Sequence, residues 1–167
     1  MHALPVPGLF NIFDASFTPT MKKSLLVFWP RGGNVDRASQ VIANAFGDIE
    51  RLQPDQVDIG KLRDYHLILF GGSTVGAENW EEAQDINVWD PFVLRMEEAG
   101  TDLSSVYVAF FGLGDQVLYP EHFVDAMGIL KDSLREFNPR FIGQWPTEGY
   151  GVTGSTSVEG DRFVGLA

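Results

Sequence analysis

The sequence contains no cysteine, which removes several kinds of chemistry at once. A disulfide, a thiolate zinc site, an iron–sulfur cluster and a thiol nucleophile all require that residue. The three histidines, His2, His66 and His122, are scattered rather than spaced as metal ligands. Any redox chemistry of this protein therefore depends on a bound organic cofactor.

Basic residues are also scarce, and long apolar runs are missing. Twelve lysines and arginines stand against 23 acidic residues, so the net charge of -11 has the wrong sign for binding a nucleic-acid backbone. A membrane-spanning helix needs about 20 consecutive apolar residues, and the sequence has no such run. The first twenty residues carry Asp14 within their apolar stretch and lack a basic start, which is atypical of a secretory signal. We therefore expect a cytoplasmic protein without nucleic-acid or membrane partners.

The remaining composition predicts one α/β domain, since 167 residues with 44% apolar content suffice for a single core. Apolar runs of strand length alternate with segments of helical periodicity. The predicted strands are 24–29, 49–52, 66–70 and 105–111, and the last strand is predicted in two parts, 140–145 and 162–167. The predicted helices are 35–46, 89–99 and 122–137, and Asn34 is the predicted cap of the first. Strands that are apolar on both faces indicate a parallel sheet with helices on both sides.

Loops rich in small or polar residues follow three of these strands, at 30–34, 71–76 and 112–119. Ligands of parallel sheets bind beyond the carboxyl ends of the strands. A glycine loop that enters a helix offers backbone N–H groups to a phosphate, although a plain turn has the same composition. The dinucleotide fingerprint and the P-loop ending are both absent, which disfavours NAD and ATP.

The carboxyl-terminal half carries a more specific pattern. It reads Phe110-Phe111-Gly112-Leu113-Gly114-Asp115 followed by Tyr119, then Asp125-Ala126-Met127-Gly128, Gly143-Gln144-Trp145-Pro146 and Phe163-Val164-Gly165-Leu166-Ala167. This pattern resembles the long-chain flavodoxins over residues 21–167. The resemblance implies a flavodoxin-like three-layer sandwich with a five-stranded parallel sheet in the order 2-1-3-4-5, an FMN at the strand ends, and one-electron transfer between redox enzymes. The loop at 151–160 resembles the insertion in the last strand of the long-chain members, and residues 1–20 form an extension.

The resemblance also implies the flavin-contacting residues. Tyr119 matches the tyrosine that stacks on the flavin ring, and Asp115, with Gly112, Leu113 and Gly114, matches the loop along its pyrimidine edge. Ser73, Thr74, Val75 and Gly76 match the loop whose peptide turns over to bond the reduced flavin. Two alternatives remain open, because Tyr119 also suits packing under the next helix and Asp115 also suits an Asx-turn that closes its loop.

Two departures from the family pattern affect the flavin site. The phosphate loop Pro30-Arg31-Gly32-Gly33-Asn34-Val35 lacks the hydroxyl residues usual in the family, and Pro30 has no N–H to donate. Arg31 is either a charge-assisted contact to the phosphate or a solvated turn residue. Val75 stands where many long-chain members have a tryptophan, for which Trp80 is the candidate replacement.

We therefore expect an FMN-dependent electron carrier, not an enzyme, whose acidic surface attracts basic-surfaced redox partners. The alternative is a flavodoxin-like domain with weak or lost FMN binding that acts as an interaction or assembly module, which the altered phosphate loop favours and Tyr119 opposes. An FMN-dependent reductase would need a nicotinamide and substrate pocket that the sequence does not indicate. A receiver domain would need an acidic pair after the first strand, where Phe28-Trp29-Pro30 stands.

Residues 1–20 generate the first prediction. The family continues past its final strand into a helix that covers the sheet, whereas this sequence ends at Ala167. The apolar residues of 1–20, or a partner chain such as a second copy, are expected to cover that face. Deletion of residues 1–20 should lower the melting temperature or change the oligomeric mass, because an uncovered apolar face is unfavourable in water. Calorimetry and light scattering that find both unchanged would contradict this expectation.

Overall fold

The computed structural model describes residues 23–73 and 88–167. Its main element is a five-stranded sheet in which each neighbouring pair of strands is parallel. The strands are β1 (Ser24–Phe28), β2 (Ile49–Leu52), β3 (Leu67–Ser73), β4 (Tyr107–Leu113) and β5 (Arg140–Phe141), in the order β2-β1-β3-β4-β5. This is the order that the resemblance implies, so the predicted fold class is confirmed.

Helices cover both faces of the sheet. They are α1 (Asn34–Phe46), α2 (Trp89–Glu98) and α3 (Asp125–Leu134), with 3-10 turns at Pro54–Gln56, Ile59–Asp64 and Arg135–Phe137. Since side chains alternate along a strand, Leu25 and Val27 of β1 face α2 and α3, whereas Leu26 and Phe28 face α1. The sheet is thus buried on both sides, which explains why its strands are continuously apolar.

The α2/α3 face holds the larger core. Phe70 lies at its centre, with ring centroids 5.9 Å from Trp89, 5.8 Å from Phe92 and 6.1 Å from Phe110. On the face of α2 that packs against the sheet, Trp89, Phe92 and Met96 are buried. Edge-to-face and offset aromatic pairs add to the free energy of area burial, so this cluster anchors α2 to the sheet.

The α1 face holds a smaller core of Leu26, Phe28, Val35, Leu69 and Phe111. Only some of the apolar side chains of α1 pack against this core. Val35 is buried and Ala38 and Ile42 pack against this core, but Val41 is 68% exposed and Phe46 is 50% exposed. The helix ends as predicted, at Gly47 with a φ of 79°, a backbone conformation that suits glycine.

Strands β3 and β4 run two to three residues further than the sequence predicts, so part of two predicted loops is strand. Gly71, Gly72 and Ser73 pair with Phe111, Gly112 and Leu113. Glycine fits this register because a Cβ on Gly71 would lie 1.9 Å from the ring of Phe111. The ring of Phe111 therefore leaves no room for a side chain at position 71, which explains the glycine there without a turn.

The fifth strand is interrupted, as the resemblance implies. β5 pairs with the first half of β4, and Leu166 forms a parallel bridge with Phe111 further along the same edge. Between them lies a separate antiparallel sheet in the order β6-β8-β7, formed by β6 (Trp145–Pro146), β7 (Val158–Glu159) and β8 (Arg162–Phe163). Trp145, predicted as the end of the fifth strand, belongs to this second sheet. None of the helices in 23–73 or 88–167 has the length and apolar character needed to cross a bilayer.

The aromatic cluster gives a stability prediction. Phe70→Ala should lower the free energy of unfolding by about 3 to 5 kcal/mol, because it removes a ring that is 1% exposed and leaves a cavity. Phe46→Ala is the matched control, and its effect should stay within about 1 kcal/mol since its ring is half exposed. Urea denaturation measures both, and equal losses would show that the core is not centred on Phe70.

Candidate functional site

The loops after β1, β3 and β4 begin at one edge of the sheet. Phe28 at the end of β1 pairs with Gly71, and Ser73 at the end of β3 pairs with Leu113 at the end of β4. The order of the strands reverses between β1 and β3, which is where open parallel sheets have their ligand crevice. Of the predicted site residues on the β3 loop, Ser73 lies in β3, while Thr74, Val75, Gly76 and also Trp80 lie outside the described residues.

The β1–α1 loop presents open backbone at this edge. Gly32 has a φ of +84°, and Cβ atoms built on Gly32 or Gly33 would meet nothing within 4 Å. Gly33 is the N-cap of α1, so the predicted cap at Asn34 is one residue late, and no side chain caps the helix. The first N–H groups of a helix have no partner within it, so those of Asn34 and Val35 fit an anion such as a phosphate.

The side chains of the predicted phosphate loop contribute less than its backbone. Val35 is 2% exposed and packs in the α1-face core, so its side chain points away from any ligand in the loop. Pro30 follows a cis peptide bond and has no N–H, and Arg31 is exposed. The loop therefore keeps a phosphate-compatible backbone without the hydroxyl groups that would complete it.

A carboxylate that the sequence analysis missed also lies at this loop. Asp36, in the first turn of α1, accepts a hydrogen bond from the N–H of Gly32 at 2.8 Å through Oδ2 and forms an ion pair with Arg51 of β2 through Oδ1. Arg51 also donates to Ser39 Oγ at 2.9 Å and lies 4.4 Å from the ring centroid of Phe28. An acidic residue three positions after a glycine cap is the signal that could have indicated it.

The β4–α3 loop forms the opposite side of the edge. Gly112 and Leu113 belong to β4, and the N–H of Gly112 donates to the carbonyl of Leu166 at 2.8 Å. A Cβ on Gly112 would lie 3.0 Å from Met127 and Val124, so this glycine allows α3 to approach the sheet. The free part of the loop therefore begins at Gly114, which is exposed.

Asp115 closes this loop as an Asx-turn. Its Oδ1 accepts hydrogen bonds from the N–H groups of Val117 at 2.8 Å and Leu118 at 3.0 Å, and its carbonyl accepts from Tyr119 N at 2.9 Å. The turn leaves Val117 83% exposed and Leu118 69% exposed, beside a half-buried Tyr119. These exposed apolar side chains next to an aromatic ring suit contact with a flat ring system.

The inserted segment, residues 151–160, is hydrogen-bonded to the β4–α3 loop. The N–H of Gly151 donates to Gln116 Oε1 at 2.6 Å. The N–H groups of Thr153 and Gly154 donate to the carbonyl of Pro120 at 3.0 and 3.3 Å. The segment is therefore bonded to both ends of the turn that carries Tyr119.

A buried carboxylate joins the same segment to the start of α3. Asp125 is 2% exposed, and its Oδ1 accepts hydrogen bonds from Ser155 Oγ at 2.9 Å and Thr156 N at 2.8 Å. Its Oδ2 lies 3.0 Å from His122 Nδ1. Buried carboxylates require such partners, so the four residues form one polar cluster, which we call the Asp125 cluster.

Val124 explains why α3 begins three residues later than predicted. Its backbone is left-handed, with φ 54° and ψ 25°, an unusual conformation for a β-branched residue. Its carbonyl accepts a hydrogen bond from Ser157 Oγ at 2.6 Å, and Ser157 Oγ in turn accepts one from the N–H of Gly128 at 2.8 Å. Hydrogen bonds from the inserted segment thus stabilise the strained turn that leads from Tyr119 into the helix.

These features fit a flavin mononucleotide better than a metal ion. Residues 23–73 and 88–167 contain no group of three or more metal-ligating side chains. The β1–α1 loop provides N–H groups for a phosphate, and the β4–α3 loop provides an aromatic and apolar surface for a ring. A separate groove of about 570 Å³ lies near the end of β1. It is lined by Trp29, Pro54, Phe92 and Arg95 among others.

Comparison with known proteins identifies the relatives of this chain. A family model described as flavodoxin matches residues 26–161. A flavodoxin from Picosynechococcus sp. is 33% identical over 150 residues, which cover 88% of this chain and 84% of that protein. Flavodoxin 1 of Azotobacter vinelandii is 30% identical over 135 residues, which cover 81% and 75%. The crystal structure of Fusobacterium nucleatum flavodoxin bound to flavin mononucleotide has a TM-score of 0.67 at 18% identity, with 87% and 83% coverage, and thus a similar fold.

The Asp125 cluster gives a prediction about stability. Asp125→Ala should lower the free energy of unfolding by at least about 2 kcal/mol, since it removes a buried carboxylate that accepts hydrogen bonds from Ser155 Oγ and from the N–H of Thr156. Asp132→Ala, on the same helix, removes a carboxylate that is 71% exposed and should change it by less than about 1 kcal/mol. Denaturant unfolding of both variants distinguishes a buried cluster from a surface charge, and equal effects would contradict the assignment.

Proposed function

Because this chain belongs to the flavodoxin family, we propose that it binds FMN and carries single electrons between redox enzymes. The observation that supports the proposal is the Asx-turn of Asp115 in the loop after β4, which leaves two apolar side chains exposed next to Tyr119 in the sequence. Bound FMN supplies the redox chemistry, and the protein supplies binding, orientation and electrostatics. The chain is then an electron-transfer protein rather than an enzyme with its own substrate.

Each loop has a proposed role toward the cofactor. The ring of Tyr119 stacks on the flavin, and the backbone from Gly114 to Leu118 borders its polar edge. The N–H groups of Gly33, Asn34 and Val35 hold the phosphate at the start of α1, with Arg31 as the cation within reach. Thr74, Val75 and Gly76 lie outside the described residues and stay predicted flavin contacts.

Family membership favours the carrier over an assembly module. The exposed side chains of Val117 and Leu118 beside Tyr119 suit either a flavin or a protein partner, so they do not distinguish the two functions. Exposed apolar side chains at one edge of a domain are unfavourable unless a ligand or partner covers them.

The charge of the chain suggests its partners. A net charge of -11 favours redox proteins with basic surfaces, because complementary charge accelerates encounter and fixes orientation. We propose a reductase and an electron acceptor of this kind, in the cytoplasm. A second copy of the chain is a further proposed partner, which would cover apolar surface on the α1 face.

Tyr119 provides the test of the ring site. Tyr119→Ala should weaken FMN binding about tenfold and shift the reduction potentials of the bound flavin, since it removes one face of the stack. Tyr119→Phe should leave binding within about threefold of wild type because it keeps the ring. Flavin fluorescence quenching measures the affinity, and spectroelectrochemistry measures the potentials.

Two outcomes would contradict parts of this proposal. Wild-type protein that quenches no flavin fluorescence at micromolar FMN would exclude the carrier function. Flavin-bound Tyr119→Ala protein with unchanged affinity and unchanged potentials would exclude the stacking role of Tyr119 while leaving the carrier function in place.

A further inference from the structure

The β1–α1 loop contains its own anion. Asp36 is the acidic residue of the first turn of α1, and its carboxylate accepts a hydrogen bond from the N–H of Gly32 at 2.8 Å. A negative group near a helix N-terminus interacts favourably with the helix dipole. Asp36 therefore uses part of the electrostatic attraction that the loop would otherwise offer to a phosphate.

Other contacts hold Asp36 in this position. Arg51 pairs with Oδ1, so both carboxylate oxygens are engaged, one by the loop and one by β2. Arg51 is itself fixed by Ser39 Oγ at 2.9 Å, by Gln40 Oε1 at 2.6 Å and by the ring of Phe28. The side chains of Asp36 and Arg51 are each only 24% exposed. The carboxylate is thus part of the folded loop rather than a freely moving surface group.

Among residues 30–35, the exposed Arg31 is the one cation that would offset this charge, and the other residues add little. Pro30 lacks an N–H, and the side chain of Val35 is buried in the α1-face core. The loop has no hydroxyl between Pro30 and Val35. A phosphate dianion at Gly33 and Asn34 would not gain the N–H of Gly32, which already bonds the carboxylate of Asp36, and the like charge of that carboxylate disfavours binding.

We propose that Asp36 determines the flavin specificity of this chain, because its carboxylate occupies the phosphate loop and makes the chain distinguish FMN from riboflavin only weakly. The inference rests on the proposed flavin binding. The ligand class is then a flavin recognised mainly through its ring, by the β4–α3 loop, with the phosphate adding little to the affinity.

The test measures the affinities of wild type and two variants for FMN and for riboflavin. Asp36→Asn removes the charge while its side-chain oxygen still accepts from Gly32, so the loop keeps its bond. Asp48→Asn is the matched control, since Asp48 is an exposed carboxylate beyond the other end of α1. Titration calorimetry or fluorescence quenching gives the six affinities, and thermal melts verify that each variant is folded.

The Asp36 variant is expected to change the affinity for FMN, which carries the phosphate, and not the affinity for riboflavin. Wild type should bind FMN at most about tenfold more tightly than riboflavin, because one charge-assisted contact of about 1.4 kcal/mol corresponds to that ratio. Asp36→Asn should raise the FMN affinity about tenfold and leave riboflavin within about twofold, whereas Asp48→Asn should change neither by more than about twofold.

Three results would overturn the inference. A wild-type preference for FMN above about a thousandfold would show a fully effective phosphate site, and this measurement needs no variant. An Asp36→Asn variant that binds FMN no more tightly than wild type, or that gains equally for riboflavin, would exclude the specificity role but leave flavin binding intact. Wild type that binds neither flavin would overturn the proposed function together with this inference.

Discussion

The carboxylate of Asp125 is the contact on which the geometry of the candidate site depends. It is almost completely buried, yet it accepts hydrogen bonds from Ser155 and Thr156 and lies within hydrogen-bond distance of His122. These partners come from two segments that are distant in sequence, the turn before α3 and the segment inserted into the fifth strand. Val124, directly before Asp125, has a left-handed backbone that is strained for a β-branched residue, and Ser157 Oγ of the same inserted segment donates to its carbonyl.

This dependence gives the inserted segment a role beyond its own small sheet. Its backbone bonds Gln116 and Pro120, and its hydroxyl groups bond the start of α3. A Cβ on Gly128 would lie 2.1 Å from the carbonyl oxygen of Thr156, so helix and segment are in direct contact. Lys131 of α3 and Glu159 of β7 add an ion pair at 2.6 Å. These contacts hold the Asp115 turn in place before a ligand binds. A loop that is already ordered loses less conformational entropy on binding.

The two loops of the site make unequal contributions. The β4–α3 loop has its turn closed by Asp115 and its apolar side chains exposed beside Tyr119. The β1–α1 loop has an open backbone, but it lacks hydroxyl groups and already contains the carboxylate of Asp36. On the proposed function, recognition of the flavin ring would therefore contribute more to binding than recognition of the phosphate.

Much of the fold can be predicted from the sequence because the patterns that determine the strands and helix ends are local. The run Ser24 to Phe28 is apolar on both faces, and Gly47 ends α1 by its backbone freedom. The sequence suggests both a flavin contact and an Asx-turn for Asp115, and the structure contains the Asx-turn. The parallel order of the strands came from the resemblance, since periodicity alone gives no order.

What could not be predicted depends on contacts between distant segments. Nothing local indicates that Val124 is left-handed or that Asp125 is buried, since aspartate is usually exposed and its partners lie 30 residues away. Trp145 was assigned to the fifth strand because it continues an apolar run, whereas pairing with Phe163 places it in the second sheet. The ion pair of Asp36 with Arg51 likewise requires the pairing of β1 with β2.

The most direct test of this account is an NMR titration of the isotopically labelled full chain with FMN. We expect the largest amide shifts in the β4–α3 loop, from Gly114 to Tyr119, with smaller shifts at Gly33 to Val35. The amides of Gly128 and Thr156 should change little, because the Asp125 cluster is already formed before the ligand binds. Shifts confined to the groove between Trp29 and Arg95, or no shifts at saturating FMN, would contradict the account.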